Sequence, residues 1–129
     1  AREHIQKYVK NCSVNFVTAD GSSKQARDSV PSGINVYFND GDHTEKFTHE
    51  SIVNFSDKFA DEFVIVVDDV SMNEVHRGAD LAFQDLSKKF TKKLDLTLGS
   101  APMINWPAQP GADDVMNWWC NIRIGVFQK

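Results

Sequence analysis

Apolar positions recur along this chain in two periods, and the period switches from one stretch to the next. Ile5, Tyr8, Val9 and Cys12 fall at i, i+3, i+4 and i+7, which predicts an amphipathic helix over about residues 3–10. Residues 14–18, with Val14, Phe16 and Val17, read as a strand of partial alternation. The Asp20-Gly21-Ser22-Ser23 turn caps a second, shorter helix through about residue 29, and Pro31-Ser32-Gly33 ends it. Ile34-Asn35-Val36-Tyr37-Phe38 is a run rich in β-branched and aromatic residues that stops abruptly in Asn39-Asp40-Gly41-Asp42-His43. Thr44 caps the next helix, with Phe47, Ile52, Phe55 and Phe59 as its apolar face. A second β-rich run, Phe63-Val64-Ile65-Val66-Val67, stops in Asp68-Asp69.

Ser71 and Glu74 then stand at capping-box spacing. Val75, Ala79, Phe83, Leu86 and Phe90 follow at steps of four, four, three and four, the clearest helical periodicity in the chain. Leu94, Leu96 and Leu98 alternate with Asp95 and Thr97 as a strand. Residues 99–117 hold Pro102, Pro107, Pro110 and Gly111 and are expected to be irregular, a length that is usually functional or mobile in compact domains. Residues 122–127 close the chain as a strand, led in by Trp118-Trp119.

The order α-β-α-β-α-β-α-β-loop-β predicts an α/β fold with a mainly parallel sheet, built as an open three-layer sandwich. The last two strands are joined by a loop, which permits an antiparallel pair at one edge. Ligands of such sheets sit outside the carboxyl ends of the strands. Two neighbouring strands ending in aspartates would gather Asp40, Asp42, Asp68 and Asp69 in one small volume. Like charges so close raise one another's pKa unless a hard divalent cation or a donor network holds them.

Composition narrows the function. At 129 residues the chain makes one domain, 1–129, with ordinary hydrophobic (41%) and charged (25%) fractions. A net charge of −4 argues against nucleic acid or an anionic membrane as partner. No stretch reaches transmembrane length, no secretory signal is visible, and Cys12 and Cys120 fit no redox or metal spacing, so buried reduced thiols in a cytoplasmic protein are expected. Lys88, Lys89, Lys92 and Lys93 read as favourable charge at a helix C-terminus. His49 and His76 read as solvated, and Ser22-Ser23 lack the context of a serine nucleophile.

The DGDH segment at 40–43, the Asp68-Asp69 pair and the closing Trp-Trp-x-x-Ile-x-Ile-Gly-Val-Phe strand together resemble class I S-adenosylmethionine-dependent methyltransferases, small-molecule O-methyltransferases above all. The resemblance runs from about residue 14 to the end. It implies a magnesium or similar divalent ion on Asp40, Asp68 and Asp69. That ion lowers the pKa of the acceptor hydroxyl, and His43 serves as the base. It implies S-adenosylmethionine contacts at Asp20, Gly21, Ser22 and Asp42, with the adenine ring at the Asp20-Gly21-Ser22 turn. Met103, Trp106 and Trp118 would shape the pocket of a small-molecule acceptor.

The family's strand order is 3-2-1-4-5-7-6, and its Gly-rich cofactor turn follows the first strand. No Gly-x-Gly occurs in this sequence. The expectation is of a chain lacking the first two strands, binding cofactor weakly by itself, and assembling as a homodimer or domain-swapped oligomer to cover an exposed sheet edge. Two other readings stand beside this one. A nucleotide-sugar glycosyltransferase would use Asp40-Gly41-Asp42 as a DxD metal site, and a non-catalytic assembly module would need no chemistry at all.

Overall fold

The computed structural model describes residues 11–99 and 121–129. In chain order they form α1 (Lys24–Asp28), β1 (Ile34–Asn39), α2 (Glu45–Val53), β2 (Phe59–Val67), α3 (Asn73–Leu86), β3 (Thr91–Leu98) and β4 (Ile122–Gln128). The predicted helix at 3–10, the loop residues Met103 and Trp106, the Trp118-Trp119 lead-in and Cys120 lie outside the described residues.

Two helices begin as their sequences predict. The Ser23 hydroxyl accepts from the N–H of Ala26 at 3.1 Å, and the Thr44 hydroxyl accepts from the N–H of Phe47 at 3.2 Å. Each satisfies a backbone donor that the first turn of a helix leaves open. The third helix corrects the expected capping box. Its N-cap is Met72, without a side-chain cap, and the hydroxyl of Ser71 is buried with no hydrogen-bond partner. The turn after β2, closed by the N–H of Met72 donating to Asp69 O at 2.9 Å, carries the helix start one residue past Ser71.

The sheet order is β1-β2-β4-β3. Only β1 and β2 pair in parallel; β4 runs antiparallel to β2 on one side and to β3 on the other. The mainly parallel sheet is thus corrected to a mixed one with two antiparallel pairs, although β1, β2 and β3 share one direction. The reason lies in β4. It alternates half-buried Ile122, Ile124 and Val126 with buried Arg123, Gly125 and Phe127, a pattern suited to the sheet interior. β3 is exposed along its whole length and carries Lys92, Lys93 and Asp95, which suits an edge.

The strand expected at 14–18 is not formed. Those residues have no regular structure, and Val14, Phe16 and Val17 are exposed. Partial alternation makes a strand only where a neighbouring edge supplies the ladder, and β1 pairs with β2 alone among the described residues.

Both long helices lie on one face of the sheet. Tyr37 donates its hydroxyl to Ser51 O (3.0 Å) and Asn39 donates to the Ser51 hydroxyl (2.7 Å), which ties β1 to α2. Phe83 of α3 meets Phe127 edge-on at 5.3 Å, and Phe127 stacks on Phe63. Helix meets helix at Gly78, where an added Cβ would stand 2.6 Å from Glu45 O and 2.7 Å from Thr48 Cβ. His49, expected to be solvated, instead reaches Asp85 of α3 at 2.8 Å and links the two helices.

The described residues therefore form two layers, not three. The second sheet face is bare among them, and the strand registers line it with apolar residues. Val36, Val64, Val126 and Leu94 make one row across the four strands; Phe38, Val66, Ile124 and Leu96 make the next, followed by Ile122 and Leu98. Val36 is 63% exposed and Phe38 55%.

Smaller differences concern boundaries. Phe59, expected on the α2 face, opens β2 and stacks on Phe63 at 4.3 Å. Phe90 lies beyond α3 but stays buried against Phe63, so the periodicity marked the core side better than the helix end. Lys92 and Lys93 sit in β3, and Lys92 pairs with Asp95 at 2.6 Å. Cys12 is exposed, not buried. Among the described residues, no helix is long and apolar enough to cross a membrane.

Candidate metal centre

Parallel pairing of β1 and β2 brings their carboxyl ends side by side. The N–H of Asp68 donates to Asn39 O at 3.0 Å, which fixes the exit of one strand against the exit of the other. Just beyond, Asp40, His43 and Asp69 each offer one ligand atom, and these atoms all lie within 4.8 Å of one another. His43 Nε2 stands 2.9 Å from Asp69 Oδ2, and both side chains are about three-quarters buried. Asp40 is exposed and leaves the group open to solvent on its side.

Asp69 is held in the left-handed region, at φ 59°, the one described non-glycine residue with positive φ. Aspartate tolerates that region better than most residues. Its own N–H donates to Asp68 Oδ1 at 2.8 Å. Asp68, expected as a third carboxylate ligand, thus accepts from the backbone and stands beside the ligand group, not in it. Burial raises the pKa of Asp68. The hydrogen bond from Asp69 opposes that rise, while the Asp69 and Asp40 charges add to it. Of the four carboxylates expected together at these strand ends, Asp40, Asp68 and Asp69 stand near one another and Asp42 does not join them.

A second feature adjoins the first. The Asp20-Gly21-Ser22 turn and the Asp40-Gly41-Asp42 turn meet across the ring of Phe47. An added Cβ would lie 2.2 Å from that ring at Gly41 and 3.3 Å from it at Gly21, so both turns approach an aromatic surface that larger residues would displace. Asp20, Ser22, Asp42, Thr44, Phe47 and Glu50 line a cleft of about 200 Å³ there. Ser22 donates to Asp20 Oδ1 from both its hydroxyl and its N–H, each at 2.8 Å, and these bonds hold the Asp20 carboxyl below its ordinary range. Asn54 donates to Ser23 O at 2.9 Å and anchors the turn on α2.

The structure thus brings Asp40, His43 and Asp69 together in one place and Asp20, Gly21, Ser22 and Asp42 in the next. Asp40 and Asp42 part ways: Asp42 Oδ2 accepts from the Thr44 hydroxyl at 3.4 Å and faces the cleft, outside the ligand group. A DxD reading would use both aspartates of this turn, and here Asp40 alone stands in the ligand group. Phe47 was overlooked as a site residue, because at helical spacing with Ile52 and Phe55 an aromatic reads as core. The pair of glycines at 21 and 41 was the available sign of a ring pressed against two turns. A cavity of about 240 Å³ between Val53, Ser56, Leu86 and Lys89 lies by the C-terminal ends of α2 and α3, away from the strand exits where ligands of such sheets bind.

Compared with family models, curated proteins and solved structures, the chain matches none.

Proposed function

We propose that this chain is the acceptor side of a class I S-adenosylmethionine-dependent methyltransferase that methylates a hydroxyl of a small molecule with the help of a divalent cation. One observation carries the reading: at the carboxyl ends of β1 and β2, a ligand group of Asp40, His43 and Asp69 adjoins a cleft lined by Asp20, Ser22 and Asp42. The strand order supports it as well. Taken as strands 4, 5, 6 and 7 of the family, β1 to β4 in the order β1-β2-β4-β3 read 4-5-7-6, the second half of the sheet described above. On this reading the finer architecture is the three-layer, Rossmann-like one.

The donor set fits a divalent ion: two carboxylates and an imidazole, open to solvent at Asp40. Such an ion supplies positive charge that makes an acceptor hydroxyl easier to ionise. The chain's own residues do the rest. Asp40, His43 and Asp69 would hold the ion, and Asp68 stands beside them. The Phe47 ring offers a flat apolar surface to an adenine, and the Asp20 carboxylate, kept ionised by Ser22, accepts from a ribose or adenine donor. The protein acts in the cytoplasm as a homodimer. The apolar face of the sheet, with Val36, Phe38, Leu94, Leu96 and Leu98 exposed, is the surface to be covered.

Calorimetric titration with S-adenosylhomocysteine, with and without Mg²⁺, tests the proposal. Binding that weakens in Asp20→Ala and Phe47→Ala is expected. A folded sample that binds neither the cofactor product nor any divalent ion overturns it.

A further inference from the structure

Two positions could hold the proton or the ion at this site, and His43 is the residue that distinguishes them. A histidine acting as base must present a ring nitrogen to the acceptor hydroxyl. Here Nε2 is turned to Asp69 Oδ2 at 2.9 Å, towards the carboxylates. That separation has a second meaning. Two ligand atoms at right angles on a six-coordinate ion, each about 2.1 Å from it, stand about 3.0 Å apart. The third atom, from Asp40, lies within 4.8 Å of both, which is the reach of a single coordination sphere with modest closure. We infer that His43 is a metal ligand with Asp40 and Asp69, and that the site takes a transition ion of the Mn²⁺, Fe²⁺, Co²⁺ or Zn²⁺ class in preference to Mg²⁺.

The chemistry of the donors carries the choice of ion. Mg²⁺ is a hard ion that keeps its waters and takes oxygen ligands, so a ring nitrogen in its coordination sphere is a poor partner. Imidazole suits the later first-row ions, and a set of one imidazole and two carboxylates with open positions suits the octahedral members of that series. The exposed side at Asp40 leaves room for water and an acceptor oxygen. The Asp68 carboxylate accepts from the N–H of Asp69 at 2.8 Å and so helps set the backbone that presents the Asp69 carboxylate. It acts as a positioning residue for the ligand beside it.

This inference rests on the cation reading given above, and the experiment separates the two. The EDTA-treated full chain is titrated calorimetrically with MgCl₂, MnCl₂ and CoCl₂ in turn, and Co²⁺ binding is followed by its visible absorption. His43→Ala, Asp40→Asn and Asp69→Asn are compared after circular dichroism establishes that each is folded. The expected result is tighter binding of Mn²⁺ and Co²⁺ than of Mg²⁺ by about tenfold or more. His43→Ala should weaken Co²⁺ by about tenfold or more, since loss of a mere outer-shell partner already costs 10- to 100-fold, and leave Mg²⁺ nearly unchanged. Pulsed electron paramagnetic resonance of the Mn²⁺ form should show coupling to an imidazole nitrogen that vanishes in His43→Ala. If the aspartate variants lose all three ions while His43→Ala binds each as wild type does, without nitrogen coupling, the ligand assignment is overturned and the cation reading stands. If no ion binds the folded chain, both fall.

Discussion

Asp69 shows how one residue carries conflicting demands. Its left-handed backbone turns the chain sharply out of β2 and aims the carboxylate at His43. For an L-residue that conformation costs about 1–2 kcal/mol, which glycine escapes. Asp69→Gly is therefore expected to raise stability by about 1 kcal/mol, read from the urea midpoint, while abolishing cation binding. A variant that is destabilised instead would mean that the carboxylate contributes more to the fold than its backbone strain removes. Arg123 is a second such residue. It is buried on β4, bidentate to Asp95 at 2.8 and 2.9 Å, bonded to Asp80 at 2.5 Å and seated over the Phe83 ring. A guanidinium buried this far is tolerable because an acceptor reaches each of its three nitrogens.

Those bonds, with the Arg123 hydrogen bond the largest cause, depress Asp95 to about 2. The ordinary value is near 3.8, so the folded state holds the ionised form more tightly than the unfolded state does. The sign follows from linkage: this stabilisation is full above about pH 4 and fades as pH falls towards 2. Asp95→Asn should cost about 1–3 kcal/mol at pH 6, the penalty of leaving part of a buried donor unsatisfied. The gap between wild type and variant in urea melts should close by pH 2; a gap that persists there would exclude the ionic contribution.

At the scale of elements, the contact of α2 with α3 sets where the site stands. α2 follows the Asp40–His43 turn and α3 follows Asp69, so their approach holds the two strand exits together. Gly78 lets the helices touch, and the atoms a Cβ would meet are backbone oxygen and a Cβ, which cannot swing aside. Gly78→Ala is expected to destabilise by at least about 1–3 kcal/mol, the usual cost of overpacking. It should also weaken Mn²⁺ binding despite its distance from the ligands. Normal metal affinity in a destabilised Gly78→Ala protein would show that the strand ends alone hold the site.

At the scale of the molecule, one face of the sheet packs on helices, and among the described residues the other carries ten apolar side chains in three rows, with Val36, Phe38, Leu94, Leu96 and Leu98 exposed. An apolar face of this kind marks a candidate interaction surface. Light scattering after size exclusion should give the mass of a dimer. Phe38→Lys with Leu96→Lys, placed in one row of that face, should give a folded monomer. A wild-type monomer would refute the homodimer and leave the face to be covered within its own chain.

Much of this was legible in the residues. The β-rich runs ending in acids, the caps at Ser23 and Thr44, and the α3 stripe through Val75, Ala79, Phe83 and Leu86 are local signals, because period and capping chemistry act over a few residues. So is the adjacency of Asp40 with His43 in one turn. Residues 14–18 apart, the sequence by itself determined which of the described segments are helix or strand and which carboxylates stand at strand ends. Tertiary structure alone decided that β4 lies between β2 and β3, that residues 14–18 form no strand, and that Asp69 rather than Asp68 faces His43. Strand neighbours depend on which edges compete for the same hydrogen bonds, and the choice between consecutive aspartates depends on one backbone dihedral. Neither quantity is written in local periodicity.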